Sequence, residues 1–445
     1  MSARMLDPVI LGDEESRKFT IAWICPTAPE WIAAEAALSV DTARSQKPFA
    51  FSRPHDQSHY VGGRIGCRWV VLGRHQEMGQ RAALDLARSM DRSFPCIGDF
   101  LVVGIAGGMS SYPFGGHGQL VQPIVLGDVV ISSQRPNGPI PGIQRVDFGR
   151  DTEEGVQPGY KNCTPSSSSF KAALNTFQQR GGTGSMGNPQ SVLHPDEVFK
   201  IQACVRRNQK NERLATDPGA DRDYLISASW EHPNNNETCE DACVGYCTPR
   251  SARGVGARRE TNSPIVHLGP VASMDSFLAN PCKRDHLSAK GYLCVEMEAA
   301  SVAEEFPTTT IRGLMDYCDT HRHYSAGWRE YASVTAAATA RYLISKMTPS
   351  QSREIDTVPA VTADSKKRNL VSLQHYLDDM PALSRHYQPQ PEINYAIQKV
   401  CTSSNEHESS KLLLHGLAGR GKTQSCVKLM ESAEKSASRR SVIHF

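Results

Sequence analysis

Residues 295–319 read VEMEAASVAEEFPTTTIRGLMDYCD. Glu296 and Glu298 flank Met297 just after the apolar run 291–295, and the spacing of Ala299–Glu305 predicts a short helix. Thr308–Leu314 is β-branched and apolar, hence strand-like, with Asp316 just past its end. A strand, a short helix and a second strand make a parallel α/β sheet the expected frame. In such sheets ligands collect outside the carboxyl ends of the strands, so Glu298 and Asp316 are candidates for chemistry. The same residues read equally as a helix-capping glutamate and a solvated strand-end aspartate.

The order V-E-M-E-A-A followed by I-R-G-x-x-D-Y resembles the nucleoside phosphorylase and nucleosidase superfamily, which cleaves the N-glycosidic bond of nucleosides. The likeness leans toward the purine nucleosidase branch and toward the versions at the N-terminus of fungal NLR-type proteins. It implies an α/β, three-layer domain with a central mixed sheet. It also implies that Met297 and Glu298 hold the ribose and that Asp316 protonates N7 of a purine.

Upstream, Phe19–Cys25 predicts a buried strand, followed by Pro26, Pro29, Glu30 and a helix through Trp31–Leu38. The resemblance makes Glu30 the residue that activates the attacking water, with Glu35 as the alternative. Prolines at both 26 and 29 depart from the family's loop, and a first-turn glutamate also complements a helix dipole. Residues 58–66 and 67–74 predict a hairpin, and Gln80–Met90 a helix. Phe100–Gly104 predicts a strand running into a glycine-rich loop, Gly104, Ile105, Ala106 and Gly107. Such a loop lets a ligand approach the backbone, and in the resemblance it lies under the ribose and the nucleophile. Purine-cleaving phosphorylases of the superfamily place an arginine and a hydroxyl beside this glycine to hold phosphate. This chain has Val102 and Ile105 there, and aliphatic groups neither neutralise a dianion nor donate to it. Water is therefore the expected nucleophile.

Leu126–Ser132 predicts a strand in which Asp128 ties a turn, and 135–161 reads as loop. Ser166–Arg180 predicts a surface helix. Residues 202–263 read as a polar insertion carrying a basic stretch, Arg250–Arg259. Cys239, Cys243 and Cys247 within it recur every four residues; with His232 they reach a zinc ligand count, though tighter Cys-x-x-Cys knuckles are usual. Free thiols are the alternative, and no metal is expected for the chemistry. In 265–278 the resemblance makes Phe277 a stacking partner of the base and Leu278 a source of backbone contacts to its edge. Met274 and Asp275 stand where many fungal versions carry Gly-Asn. His321 and His323 read as a solvated rim, and Ser333–Met347 closes the domain as an Ala-rich helix.

A polar linker and helical segment spans 348–400. In 401–445, the strand Lys411–His415 precedes Gly416, Gly421, Lys422 and Thr423 in the pattern G-x-x-x-x-G-K-T. This is the start of a P-loop NTPase fold, in which Lys422 reaches phosphates and Thr423 ligates Mg²⁺. It resembles the nucleotide-binding domain of STAND/NLR-type proteins, and a complete domain would use ATP and Mg²⁺. The sequence reads as ending at Phe445, early in that domain.

Composition sets bounds. The 445 residues suggest roughly two to four domains. A net charge of +2 (49 basic, 47 acidic) gives no field directing the chain to nucleic acid or membrane. Apolar runs fall short of the ~18 residues of a membrane span. Thirteen cysteines spread over the chain favour reduced thiols and a cytoplasmic setting. The resemblance adds a homo-oligomer as the expected assembly. The leading reading is a purine nucleoside N-ribohydrolase within an NLR-like signalling protein. A phosphorylase, an ATP-cleaving effector whose phosphates meet the basic stretch, and a non-catalytic nucleoside sensor are the alternatives.

Overall fold

The computed structural model describes residues 9–348 apart from 41–47, 54–55, 75–76, 115–119, 136–138, 153–154, 159–165, 181–190, 208–215, 231–241, 254–262, 320 and 322–326. The chain divides into two units, Met1–Ile355 and Asp356–Phe445. The second unit, with Gly416, Gly421, Lys422 and Thr423, lies outside the described residues, as do Cys239, His232 and His323.

The first unit is built on one mixed sheet. Its strands are β1 (Val9–Ile10), β2 (Phe19–Ile24), β3 (Phe49–Arg53), β4 (Asp56–Ile65), β5 (Arg68–Gly73), β6 (Asp99–Gly108), β7 (Val129–Ser132), β8 (Ile143–Arg145), β9 (Ser191–Val192), β10 (Ile265–Gly269), β11 (Val271–Ser273), β12 (Cys294–Glu296) and β13 (Thr308–Asp316). The main path runs β1-β3-β4-β5-β2-β6-β13-β7-β10-β9, and a branch β8-β11-β12 joins β6. The centre, β5-β2-β6-β13, is parallel. In β2, Ile21 and Trp23 enter one core while Ala22 and Ile24 enter the other. Strands apolar on both faces belong inside a layered α/β fold.

Helices cover both faces. Ala33, Ala37 and Leu38 of α1 (Ala28–Ser39) share one core with Phe170 and Phe177 of α3 (Ser168–Arg180), Ile201 and Val205 of α4 (Pro195–Arg207), and the alanine-rich α7 (Trp328–Lys346). Opposite, α2 (Gln80–Ser93) and α6 (Ala299–Glu305) bury Leu86, Met90, Val302 and Ala303. A third core gathers Val271, Leu293, Cys294 and Leu314 with Leu287 of α5 (Pro281–Lys290). The mixed α/β architecture agrees with the sequence reading.

Three expectations need correction. The glycines 104–107 are not a loop after a strand: β6 continues to Gly108, paired with β13 on one edge and with β12 at Gly107 and Gly108. The stretch 135–161 contains β8 and a hairpin of Gly149–Thr152 with Gly155–Pro158. The insertion begins later than residue 202, because α4 runs to Arg207 and buries Ile201, Cys204 and Val205 at helical spacing. Among the described residues, no helix is long and apolar enough to cross a membrane.

Asp128 ties the sheet together as well as its turn. Fully buried, it accepts from Val125 N (3.1 Å) and Ile265 N (2.9 Å), and its Oδ2 lies 2.9 Å from His267 Nε2. Asp128→Ala leaves one buried and one part-buried N–H donor without an acceptor and is expected to cost about 3 kcal/mol, read as a lowered urea midpoint.

Candidate active site

The parallel centre of the sheet delivers its strand ends to one place. After β2, the chain turns through Pro26 and Thr27 into α1, with Pro29 in the first turn, where a missing N–H costs nothing. Glu30 is then the third residue of the helix, buried, and its Oε2 accepts from Thr27 N. Its Oε1 accepts from Ile105 N at 2.8 Å. That N–H is available because β2 stops pairing with β6 at Val102 and β12 starts only at Gly107. The two prolines thus leave Glu30 held at both oxygens. Gly104 is required beside it: a Cβ there would collide with Glu30 Oε1 and come within 2.9 Å of Arg312 Nη1.

Arg312, from the middle of β13, is the residue sequence reasoning passed over. It is 1% exposed, its Nε donates to Thr310 Oγ1 (2.7 Å) and its Nη1 to Ile105 O (3.3 Å). Its Nη2 donates to Glu296 Oε2 and, at 3.1 Å, to Glu298 Oε2. An arginine within an otherwise apolar, β-branched strand was the available signal, since arginine is almost never fully buried unless paired.

The two glutamates of the 295–319 stretch divide the work. Glu296 caps the helix: its carboxylate accepts from Glu298 N (3.0 Å) and Ala299 N (2.9 Å) at the start of α6. Glu298 keeps its carboxylate for other partners, accepting from Gly79 N at 3.4 Å as well as from Arg312. Burial pushes the Glu298 carboxyl up to about 7; Glu296 and Glu30 push the same way and Arg312 opposes them. Those three carboxylates hold Arg312 charged against its burial, raising its pKa.

Asp316 sits at the end of β13, opposite Gly107, with its Oδ1 accepting from Cys318 N at 2.9 Å. The β13–β6 register shifts between Leu314 and Asp316. This bulge at Met315 re-aims the aspartate, as bulges beside active sites do. Arg312 and Glu30 lie over Gly104, and Asp316 lies over Gly107. Met297 is half-buried, and Ala106 is buried in the third core. Phe277 is 39% exposed, whereas the Leu278 side chain belongs to the core.

Nearby groups bear on the alternatives. Val102 is fully buried in the helix-facing core. Arg250 is buried, and Arg253 is bonded to Asp223 and Tyr317, so these two members of the basic stretch face inward. Asp275 is exposed and pairs with Arg145 (2.5 Å), while Met274 is core. Cys243 and His321 are buried, with Sγ 3.3 Å from Nδ1, so His321 is not a solvated rim. Among the described residues, no group of three His, Cys, Asp or Glu side chains is placed to hold a metal ion.

The sequence matches no protein-family model. It is 27% identical over 336 residues to a nucleotide-binding leucine-rich repeat (NLR)-like protein of Hyaloscypha variabilis, covering 75% of this chain. The chain spans 30% of that relative's length. Among solved structures, a 5'-methylthioadenosine/S-adenosylhomocysteine nucleosidase of Neisseria meningitidis superposes with a TM-score of 0.41 at 15% identity, over 74% of this chain and 99% of that one. Futalosine hydrolase of Helicobacter pylori gives a TM-score of 0.41 at 14% identity, over 74% and 99%.

Because Glu298 binds its proton more tightly when folded than at its ordinary 4.5, its contribution to stability is complete below pH 4.5 and is lost as pH rises through about 7. Glu298→Gln is expected to flatten the fall in urea midpoint between pH 5 and pH 8, measured against the parent chain.

Proposed function

We propose that the chain is a purine nucleoside N-ribohydrolase, forming the N-terminal catalytic part of an NLR-like protein. The observation that carries this reading is the anchoring of Glu30 on Ile105 N, beside Glu298 and Arg312. It supports reading Glu30 as the base, Glu298 as the hydroxyl-binding carboxylate and Arg312 as the fixed cation of one buried cluster.

The proposed reaction follows from their chemistry. The ribose hydroxyls donate to Glu298, whose raised pKa makes those donors the partners that favour its charged form. Glu30 retains lone pairs beyond its two backbone bonds and takes a proton from water as the water oxygen bonds to C1′. The C1′–N9 bond breaks through an oxocarbenium-like state, the electronic problem that glycosidases also solve with carboxylates. Its electron pair goes to the base while Asp316 protonates N7. Pyrimidines have no N7, so this acid favours purines.

Water rather than phosphate is supported by charge. Three carboxylates face one guanidinium in the cluster, and the aliphatic Val102 is turned into the core. An inorganic phosphate dianion would meet net repulsion there. The inward-facing Arg250 and Arg253 likewise weaken the ATP-cleaving reading. Similarity to the NLR-like relative supports joining this activity to a nucleotide-binding switch, in which Gly416, Gly421, Lys422 and Thr423 would bind ATP with Mg²⁺. Cytoplasmic action and homo-oligomer assembly belong to the same proposal.

The test is release of free base from adenosine, inosine and guanosine by the full chain, followed by chromatography with and without phosphate, uridine and ATP serving as contrasts. Phosphate-independent purine release is expected, reduced about 10²-fold or more in Asp316→Asn and in Glu30→Gln. Release that requires phosphate would make the enzyme a phosphorylase. Binding without release from any substrate would make it a sensor.

A further inference from the structure

The polar insertion, which the proposed reaction does not use, is tied to the residue that follows the proposed acid. Tyr317 is fully buried, and its hydroxyl donates to Asp223 Oδ1 at 2.9 Å. Arg253, from the far side of the insertion, donates to that same hydroxyl and pairs with Asp223 Oδ1 at 2.5 Å. Its guanidinium carbon lies 5.0 Å from the centre of the Tyr317 ring. Asp223 is anchored in turn by Leu126 N (3.2 Å), and the Tyr317 carbonyl accepts from Arg284 Nη1 (3.0 Å). Burial and the neighbouring Asp223 raise the Tyr317 hydroxyl, which keeps it a donor.

The backbone there needs holding. Cys318 has φ 55°, the only positive φ at a non-glycine residue among those described. Its N–H is the donor to Asp316 Oδ1. Strained positions persist only where the surroundings over-determine them. We propose that the Asp223–Arg253 pair of the insertion is a positioning device: it clamps Tyr317, holds the 316–318 turn in its strained form, and so aims the Asp316 carboxyl at the base. Neither residue touches substrate. The inference rests on the hydrolase reading and assigns the insertion a part in it.

Two substrates separate positioning from general damage: a purine nucleoside, whose base needs protonation to leave, and 4-nitrophenyl β-D-riboside, whose leaving group does not. The variants, made in the full chain, are Arg253→Ala, Asp223→Asn and Tyr317→Phe, with exposed Ser229→Ala in the same insertion as the control. In the first three, kcat for the purine nucleoside is expected to fall about 10- to 100-fold. KM, and turnover of the nitrophenyl riboside, should stay within about 2-fold. Equal losses on both substrates, or none, overturn the proposal. Hydrogen exchange supplies an arm independent of activity. Arg253→Ala should speed exchange at the Cys318 amide while core amides stay protected, and an unchanged Cys318 amide overturns the brace. A parent chain that cleaves neither substrate sinks the hydrolase reading instead, and the exchange result still decides whether the insertion orders Asp316.

Discussion

One buried guanidinium holds the centre of this molecule. Arg312 meets Glu296 and Glu298 directly and lies in the field of Glu30. Each partner comes from a different element: Glu296 from β12, Glu298 from the entry to α6, Glu30 from the first turn of α1. Burying such charges is unfavourable unless every member is paired, and removing one leaves the others uncompensated. The cluster therefore acts as a single unit that fixes strand, turn and helix together. Its excess of negative charge is also what sets the proposed chemistry apart from phosphate transfer.

Much of this was legible in the sequence, for identifiable reasons. Ala299–Glu305 is the helix its spacing predicts, and β13 begins where the β-branched run begins. The β4–β5 hairpin turns at Gly66 and Cys67, as expected. These are local signals, and local signals survive into the fold. The glycines 104–107 were misread because glycine after an apolar strand looks like a loop; only partners distant in sequence, β12 and β13, extend the ladder. β8 is three residues long with Gln144 and Arg145 in it, too short and too polar to show alternation. The α4 boundary was available, since Ile201, Cys204 and Val205 share one helical face.

The site shows the same division. Glu30, Glu298 and Asp316 are candidates by residue type and motif alone. The Glu296 cap on α6 is a local contact, whereas the pairing of Arg312 with both glutamates depends on where strands meet, which no local pattern encodes. The insertion was visible only as a polar interruption. Its Asp223 and Arg253 are 30 residues apart in sequence and converge on Tyr317 only in the folded chain.

The bulge at Met315 has a consequence for how this strand can change. On a regular strand, residues four apart share a face, so Arg312 and Asp316 would be locked in phase. The extra residue breaks that phase. Upstream of it, side chains answer to the interior and have almost no latitude. Downstream, 316–318 answer to the turn and to the insertion that covers it. The proposed acid can thus be retuned by its surroundings without shifting the registers that hold the guanidinium, much as a hinged nib can be adjusted without moving the pen.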